Sequence, residues 1–323
     1  MEFLAKVHIS CFLLSYLVSL IGEISQLFRG RTRWMRVTVL SFTVAGLIAH
    51  TSYLVARSRT AGLPPLMTSG QDWLLVLAWL GVALYLVLLT THDTLSHGLF
   101  MLPAVLLLVI VAVFVSDTAT SQVHEVAIRR WGMLHAASLV LGMAAVLGST
   151  VTAIMYLLNH QKLRNRSPWL SRFQLPSLES LSAINRWMVI FSAPCLTAGL
   201  LTGFVLLAMS NRNDTTIRIP WTDPTIVTTV VMWIAMVLML LRLLNSEHHS
   251  GKSIAQLSLI SGGFLLLTIL GPMLLAETGA MKTFHGQNAE RESNGSAQSQ
   301  GNIATESSLP GNGLPERNAG DQQ

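Results

Sequence analysis

Residues 131–158 read WGMLHAASLVLGMAAVLGSTVTAIMYLL, and this run decides the fold class. It contains no Asp, Glu, Lys or Arg, and His135 is its one histidine. A helix needs roughly 20 apolar residues to cross the hydrocarbon core of a bilayer. In lipid a helix also satisfies its own backbone hydrogen bonds. The run therefore predicts a membrane-spanning helix with an imidazole near its beginning.

The composition of the whole chain agrees with this interpretation. Of 323 residues, 51% are hydrophobic and 11% are charged, whereas a soluble domain carries roughly 25% charged residues. This balance excludes an ordinary water-soluble enzyme, a disordered chain and a typical nucleic-acid binder. The two cysteines form no C-x-x-C or C-x-x-C-H pattern, so neither a thiol-redox motif nor covalent haem attachment is predicted.

Further apolar runs of similar length lie on both sides of this one. The complete set is Phe3–Gly22, Val37–Ala56, Trp73–Thr91, Gly98–Ser116, Trp131–Leu158, Trp187–Ser210, Thr225–Leu241 and Ile254–Ala276. We interpret the first run as a retained span, because no convincing signal-peptide cleavage site follows it. The expected fold is all-α, a polytopic bundle of eight transmembrane helices.

The basic residues of the loops predict the orientation of the bundle. The segments after spans one, five and seven hold eleven Lys and Arg residues, and the opposite loops hold six. Loops rich in Lys and Arg stay in the cytoplasm. Both termini are therefore expected outside, in a multi-pass protein of the inner or plasma membrane.

The end of the chain has a different character. Residues 279–323 are rich in Gly, Ser, Asn and Gln and poor in large apolar side chains. Such a segment cannot bury enough surface to offset the entropy of ordering. We expect a transmembrane domain over residues 1–278 and a disordered polar tail over 279–323.

Three histidines fall inside predicted spans, and the topology sets them at a similar depth. His8, His50 and His135 all lie toward the outer face. His50 and His135 are best placed to converge with the outer loop SNRNDTTIRIPWTDP, residues 210–224. An imidazole there can ligate haem iron. Alternatively, it hydrogen-bonds a neighbouring helix. For His50 the hydrogen-bonding role is favoured, and for His135 the spacing does not decide.

Helix packing and interfacial placement account for the glycine pair of span six and for most tryptophans. Gly199 and Gly203 form a small-xxx-small pattern, which lets two helices approach closely. Five tryptophans lie at span edges, where interfacial tryptophan is common. They are Trp34, Trp73, Trp131, Trp187 and Trp221.

Several segments together resemble the cytochrome c assembly superfamily, which includes CcsA-type and HemX-like membrane proteins. The matching stretches are GLPPLMTSGQDWLLVLAWLGVALYLVL (62–88), the W-x-x-x-H span (131–158), residues 178–205, WTDPTIVTTVVMWIAMVLMLLR (221–242) and the glycines of the last span. In the first stretch the residues in register are Gly62, Pro64, Pro65 and Trp79, with Gln71 and Asp72 near the usual acidic position. The resemblance covers roughly residues 1–278.

This resemblance implies a haem site at the outer face. Such proteins present haem to apocytochrome c by using outer histidines and a tryptophan-rich loop. By resemblance, His135 is an axial histidine, and Trp221, Asp223 and Pro224 are the remnant of the loop. His50 as a replacement ligand is our own inference from its depth. The predicted haem b site, noncovalent, comprises His135, His50, Trp131, Trp221, Asp223 and Pro224, with His135 and His50 toward the iron.

The chain also departs from the family pattern. Only Trp221 of the loop tryptophans is present, and GPMLLAETG stands where the second outer histidine is expected. Leu240 and Leu241 occupy the neighbourhood of another expected histidine. These departures resemble the HemX-like branch, and they put bis-histidine ligation as in complete members in doubt.

Three functions remain open. The first is a haem-associated factor of cytochrome c assembly, working with other membrane assembly components and with apocytochrome c. The second is a structural or regulatory partner without haem, as in the HemX-like branch. The third is a small-solute transporter, which would need ionisable residues or a broken helix at mid-membrane. No nucleophile–base spacing, paired carboxylate or phosphate loop is present, so we expect no enzyme.

Overall fold

The protein is helical throughout the part that a computed structural model describes. That part comprises residues 8–30, 32–62, 64, 66, 69–91, 96–114, 126–165, 175–212 and 251–277, with separate positions between 226 and 241. These residues contain no strand. Six of their helices are long and apolar enough to cross a membrane. The prediction of an all-α, multi-pass membrane protein is confirmed.

The helix bounds follow the predicted runs. Across the described ranges the helices are α1 (Ile9–Arg29), α2 (Arg33–Ala61), α3 (Gly70–Thr91), α4 (Ser96–Phe114), α5 (Val126–Asn165), α6 (Leu178–Arg212) and α7 (Gly251–Glu277). The first six correspond to runs one to six, and α7 corresponds to run eight. Run seven, Thr225–Leu241, is described only at separate helical positions. The count of eight spans and the outward termini stay predictions, and the tail 279–323 lies outside the described residues.

The two ends of α2 show how local sequence sets a helix boundary. The Thr32 hydroxyl accepts a hydrogen bond from the backbone N–H of Met35 at 3.3 Å, as an N-cap residue does. At the other end Gly62 has a φ of +65°. Glycine adopts this left-handed conformation without steric cost. The chain therefore leaves α2 at Gly62 and turns toward α3.

The helices α5 and α6 are longer than the membrane is thick. They have 40 and 35 residues, or about 60 and 52 Å at about 1.5 Å per residue, against a hydrocarbon core of about 30 Å. The sequence predicts a long loop over 159–186 with a short interfacial helix near Leu178–Ile184. A helix does begin at Leu178, but it is the start of α6, and α5 continues to Asn165, so the connector is shorter than predicted. The Asn159 amide also donates a hydrogen bond to the Pro176 carbonyl (2.7 Å), which ties the two helix ends together.

The helices pack as two groups around a shared apolar core. In the first group α1 packs against α2 and α4, and α3 packs against α4. In the second group α5 packs against α6 and α7, and α5 also contacts α3. Buried side chains of both groups form one cluster, which includes Phe12, Leu75, Val105, Val140 and Leu196. All seven helices belong to one unit, Met1–Met281.

Candidate functional site

His135 lies on α5 and directs its ring toward α6. Its Nδ1 is 2.7 Å from the backbone carbonyl oxygen of Gly199. A carbonyl oxygen only accepts hydrogen bonds, so Nδ1 must carry the hydrogen. In the neutral ring the lone pair then sits on Nε2. Within the described residues Nε2 has no hydrogen-bond partner. The ring is half-buried.

The glycines of α6 make room for this ring. A Cβ at position 203 would lie 2.8 Å from Cε1 of His135 and 3.1 Å from its Nδ1. A Cβ at position 199 would overlap the side chain of Leu139, one turn further along α5. The glycine pair therefore serves close helix packing, as predicted, and it also seats the histidine. The predicted topology gives His135 and Gly203 a similar depth, but their contact depends on how α5 and α6 are rotated toward each other.

Trp131 precedes His135 by one helical turn on α5. Residues four apart on a helix lie on the same face, and 38% of the Trp131 side chain is exposed. The W-x-x-x-H pattern thus offers an aromatic surface and an imidazole on one side of α5. Their shared role in a cofactor site stays a prediction.

His50 has very different surroundings. It lies between α1 and α2 and is fully buried. Its Nδ1 is 3.2 Å from the Tyr16 hydroxyl, and its ring stacks on Phe12 with a centroid separation of 4.1 Å. Its Nε2 is also buried, and no described residue hydrogen-bonds it. A ligand would reach this nitrogen only after the surrounding side chains moved.

The two histidines belong to different helix pairs. α2, which carries His50, packs against α1 and α3, whereas α5, which carries His135, packs mainly against α6 and α7. Their joint ligation of one iron therefore stays a prediction. Trp221, Asp223 and Pro224, the predicted remnant of the loop, lie outside the described residues. His8 is exposed and precedes the first turn of α1.

Sequence reasoning missed a polar cluster formed by α1, α3 and α4. The Tyr85 hydroxyl donates a hydrogen bond to Oε1 of Glu23 at 2.6 Å. Glu23 is 5% exposed and His97 is 1% exposed. A Cβ at Gly98 would lie 2.6 Å from the same carboxylate oxygen. His97 lies at the edge of its span, in the first turn of α4, and is nevertheless buried.

A second missed interaction joins the end of α2 to the start of α3. Nε of Arg57 lies 2.6 and 2.7 Å from the two carboxylate oxygens of Asp72, which is fully buried. The backbone N–H of Asp72 also donates to the Ser69 hydroxyl (3.2 Å). Arg57 follows the predicted span Val37–Ala56 in sequence, and it lies in the last turns of α2. The acidic position of the sequence motif thus holds two helices together.

The described residues contain no group of three or more His, Cys, Asp or Glu side chains that could hold a metal ion. A haem needs fewer protein ligands, because the macrocycle supplies four of the iron's bonds. His135 is of a residue type that supplies an axial ligand, and its role as one stays a prediction. Metal-binding histidines commonly donate their other ring N–H to a carbonyl or carboxylate, which fixes the ring and its tautomer. The bond to Gly199 has this form.

Comparison with known protein families gave a match to this chain. The family model described as cytochrome C assembly protein matches residues 70–278. This range is more than half of the chain, and it begins at the first residue of α3 and ends just past α7. His135 and Gly199 fall inside it, whereas His50 falls outside. No curated protein matches the chain.

Proposed function

Because the chain belongs to the cytochrome c assembly protein family, we propose that it binds haem b noncovalently through His135 and helps to present it during cytochrome c biogenesis. The site lies toward the outer face of the inner or plasma membrane. The protein acts as a binding factor and not as an enzyme. Its partners are other membrane components of cytochrome c assembly and apocytochrome c. Within the family we assign it to the HemX-like branch.

The observation that carries this proposal is the bond between Nδ1 of His135 and the Gly199 carbonyl (2.7 Å). The bond orients the imidazole and keeps the lone pair on Nε2, the nitrogen that an iron would take. Bound haem b would supply an iron with two axial positions. The Gly199 carbonyl would determine that Nε2 of His135 faces the iron, and it would hold the imidazole ring in its orientation.

The neighbours of His135 have complementary roles. Gly203 keeps space beside Cε1 and Nδ1, so the ring can approach α6 closely. Trp131 offers a partly exposed aromatic surface one turn away, against which a flat porphyrin can pack. From the sequence, Trp221, Asp223 and Pro224 would cover the other side. The chain thus supplies one well-oriented ligand and an apolar wall.

A second axial ligand from His50 requires opening the contacts between α1 and α2. The bond to Tyr16 and the stacking on Phe12 hold this ring in place. We therefore propose that His135 alone binds the iron in the resting arrangement, and that His50 joins only if α1 and α2 part. The two situations differ in spectrum, because five- and six-coordinate haem absorb differently.

The test is haem titration of the purified full chain in detergent. We expect a Soret band that is lost in His135→Ala and kept in His160→Ala. His160 is a matched control, because it is a partly buried histidine toward the other end of the same helix. If His135→Ala leaves the Soret band unchanged, the ligand assignment is wrong. The His50→Phe variant then reports whether a second imidazole contributes.

A second candidate function is a structural or regulatory partner of haem synthesis or cytochrome assembly without haem. The same His135–Gly199 bond favours it, because it links α5 to α6 whether or not iron binds. Such a protein should co-purify with a membrane assembly component even when His50 and His135 are both replaced by Ala. Loss of that association in the double variant would contradict this version.

A further inference from the structure

The carbonyl oxygen of Gly199 has a second side-chain donor besides His135. Nδ1 of His135 lies 2.7 Å from this oxygen, and the Thr202 hydroxyl lies 2.8 Å from it. Gly199 is buried, and Thr202 is 7% exposed. The bond that orients His135 is therefore shared with a hydroxyl of α6, the helix that also carries the carbonyl.

Close packing of α5 on α6 brings these groups together. A Cβ at Gly203 would lie 3.1 Å from Nδ1 of His135, and a Cβ at Gly199 would overlap the side chain of Leu139. The two glycines thus let the imidazole come within hydrogen-bond distance of a backbone carbonyl. Thr202 lies between them in the sequence, three residues after Gly199, where its hydroxyl reaches the same oxygen.

More donors surround this oxygen than it can accept at full strength. A carbonyl oxygen has two lone pairs. In an α-helix one of them accepts the backbone N–H four residues further along, and α6 continues without a break past Gly203. The imidazole N–H and the hydroxyl therefore compete for the other lone pair. Because both donors draw on the same electron density, each weakens the bond that the other makes.

Thr202 has a further acceptor within reach. Its hydroxyl oxygen lies 2.7 Å from the carbonyl oxygen of Ala198 and 2.8 Å from that of Gly199. A hydroxyl carries one hydrogen, which rotates to suit its surroundings. With this hydrogen toward Ala198, the carbonyl of Gly199 is left to His135, and with it toward Gly199, the carbonyl is shared. Rotation of one hydrogen thus changes the strength of the His135 bond without moving a helix.

A threonine that bonds to its own helix is common, and that pattern alone has a local explanation. Thr152 on α5 is an example, because its hydroxyl lies 2.9 Å from the carbonyl oxygens of both Gly148 and Ser149. Thr202 is different in its acceptor, since the carbonyl of Gly199 also receives an imidazole from another helix. The hydroxyl of Thr202 is therefore coupled to His135.

The strength of the Nδ1 bond bears on the opposite nitrogen of the ring. When Nδ1–H donates to an acceptor, electron density shifts toward Nε2 and makes it a more basic ligand. A more basic axial ligand stabilises ferric iron more than ferrous iron, so hydrogen bonds to the ligand tune the reduction potential of a haem. A hydroxyl that competes for the acceptor reduces this shift and favours a higher potential.

We propose that Thr202 is a positioning residue of the haem site, whose hydroxyl shares the Gly199 carbonyl with His135 and so limits how strongly Nε2 donates to iron. This inference rests on the proposed ligation of haem b by His135. Thr202 acts through the histidine and not on the iron itself. Only hydrogen bonds change, and no proton leaves either residue.

The first test uses the full chain without haem, in lipid nanodiscs, with ¹⁵N-labelled histidines. In NMR spectra the proton of Nδ1–H moves downfield as its hydrogen bond strengthens, and the His135→Ala variant identifies its signal. Thr202→Val keeps the side-chain shape and removes the hydroxyl, so we expect a downfield shift. Thr202→Ser keeps the hydroxyl and should keep the wild-type shift. An unchanged signal in Thr202→Val would overturn the proposal.

Thr152→Val is the matched control for this measurement. It removes a hydroxyl that is 1% exposed and that bonds to two carbonyls of its own helix. We expect no shift of the His135 signal in this variant. Equal shifts in Thr152→Val and Thr202→Val would contradict a shared carbonyl. If Thr202→Val does not fold, Thr202→Ala removes the same hydroxyl and is judged by the same shift.

The second test is a redox titration of the haem-loaded full chain. Thr202→Val should raise the ratio of ferric to ferrous haem affinity about fivefold, the effect of about one net hydrogen bond, which lowers the reduction potential by about 40 mV at about 59 mV per tenfold. Thr202→Ser and Thr152→Val should keep the wild-type potential. A purely structural role would change how much chain folds and not the potential of the haem that it binds. An unchanged or higher potential in Thr202→Val would overturn the tuning role.

The haem assignment and the role of Thr202 can fail separately. A Soret band that is lost in His135→Ala, together with an unshifted Nδ1–H signal in Thr202→Val, would keep the ligand assignment and overturn the role of Thr202. A Soret band that survives in His135→Ala would overturn the ligand assignment and the tuning of iron with it. The NMR shift would then still decide whether Thr202 and His135 share the carbonyl.

Discussion

The α1–α2 pair and the α5–α6 pair solve the same packing problem in opposite ways. Polar side chains join the first pair, through Ser19–Thr43 and Tyr16–His50. In the second pair, Gly142 of α5 and Gly199 of α6 leave space into which a leucine side chain of the other helix packs. Both solutions suit lipid, where packing and interhelical hydrogen bonds replace the hydrophobic effect. The family match covers the second pair and leaves out the first.

This difference separates two histidines that look alike in sequence. His50 is enclosed by an aromatic ring and a phenol, and its second nitrogen is buried. His135 directs Nδ1 to a backbone carbonyl, and its Nε2 has no hydrogen-bond partner among the described residues. Side chains of α1 hold the first ring, whereas a backbone carbonyl of α6 holds the second. Three stability measurements sharpen the comparison.

The largest effect on stability should come from the ion pair between Arg57 of α2 and Asp72 of α3. Asp72→Asn keeps the side-chain shape but leaves the Arg57 guanidinium, which is 25% exposed, without its carboxylate. Removing one partner of a buried pair costs about 3–5 kcal/mol. We expect a fall of this size in the free energy of unfolding, measured by denaturant titration in detergent. Glu179→Gln, an exposed carboxylate at the start of α6, should change stability by less than about 0.5 kcal/mol. Equal effects of the two variants would show that the pair does not hold α2 to α3.

An intermediate effect on stability should come from Gly203, the glycine of α6 that lies beside His135 of α5. In Gly203→Ala the new methyl group would meet Cε1 of His135 at 2.8 Å, and overpacking of this kind costs about 1–3 kcal/mol. We expect lower stability and weaker haem binding together, because the ring must move.

The control for this variant is Gly263→Ala, where a Cβ would have no neighbour within 4 Å. It should keep stability or gain up to about 1 kcal/mol from the higher helix propensity of alanine. If Gly203→Ala behaves like Gly263→Ala in both measurements, the glycine does not position His135.

The smallest effect should come from the hydrogen bond between Ser19 and Thr43. A double-mutant cycle with Ser19→Ala and Thr43→Val isolates their interaction, which should be about 0.6 kcal/mol, the average for such bonds in a membrane. The same cycle with Ser19→Ala and Thr152→Val should give no coupling, because Thr152 lies on α5 and bonds within its own helix. A coupling of the same size in both cycles would contradict a direct bond.

Much of the fold could be predicted from residue order. Apolar run length predicted six helices that the structure describes as long enough to span, because lipid leaves the backbone few alternatives. The family resemblance was also confirmed over residues 70–278. The connector between spans five and six was predicted too long, since polar residues after a span need not end its helix. Asn159 and Leu178 both lie in long helices that continue past the apolar run.

The candidate site was predicted only in part. The residue types and depth pointed to His135, but spacing could not decide between a metal ligand and a bond to a neighbouring helix. The structure shows that Nδ1 of His135 makes the bond to the neighbouring helix, and the role of the ring as a metal ligand stays a prediction. The buried polar face of α1 could have been predicted from the sequence, because Tyr16, Ser19, Glu23 and Gln26 recur at helical spacing. The residues of α2 and α3 that they contact could not be predicted in this way.

The sequence by itself determined that this chain is a helical membrane protein of a particular family, because apolar run length and short motifs are local properties. It also determined which polar groups must be buried somewhere in lipid. Only the tertiary structure decided which neighbour each of them meets. The carbonyl of Gly199 lies beside His135, and the hydroxyl of Tyr16 lies beside His50. The reason is that side-chain partners across helices depend on the rotation and register of packed helices, which no single helix specifies.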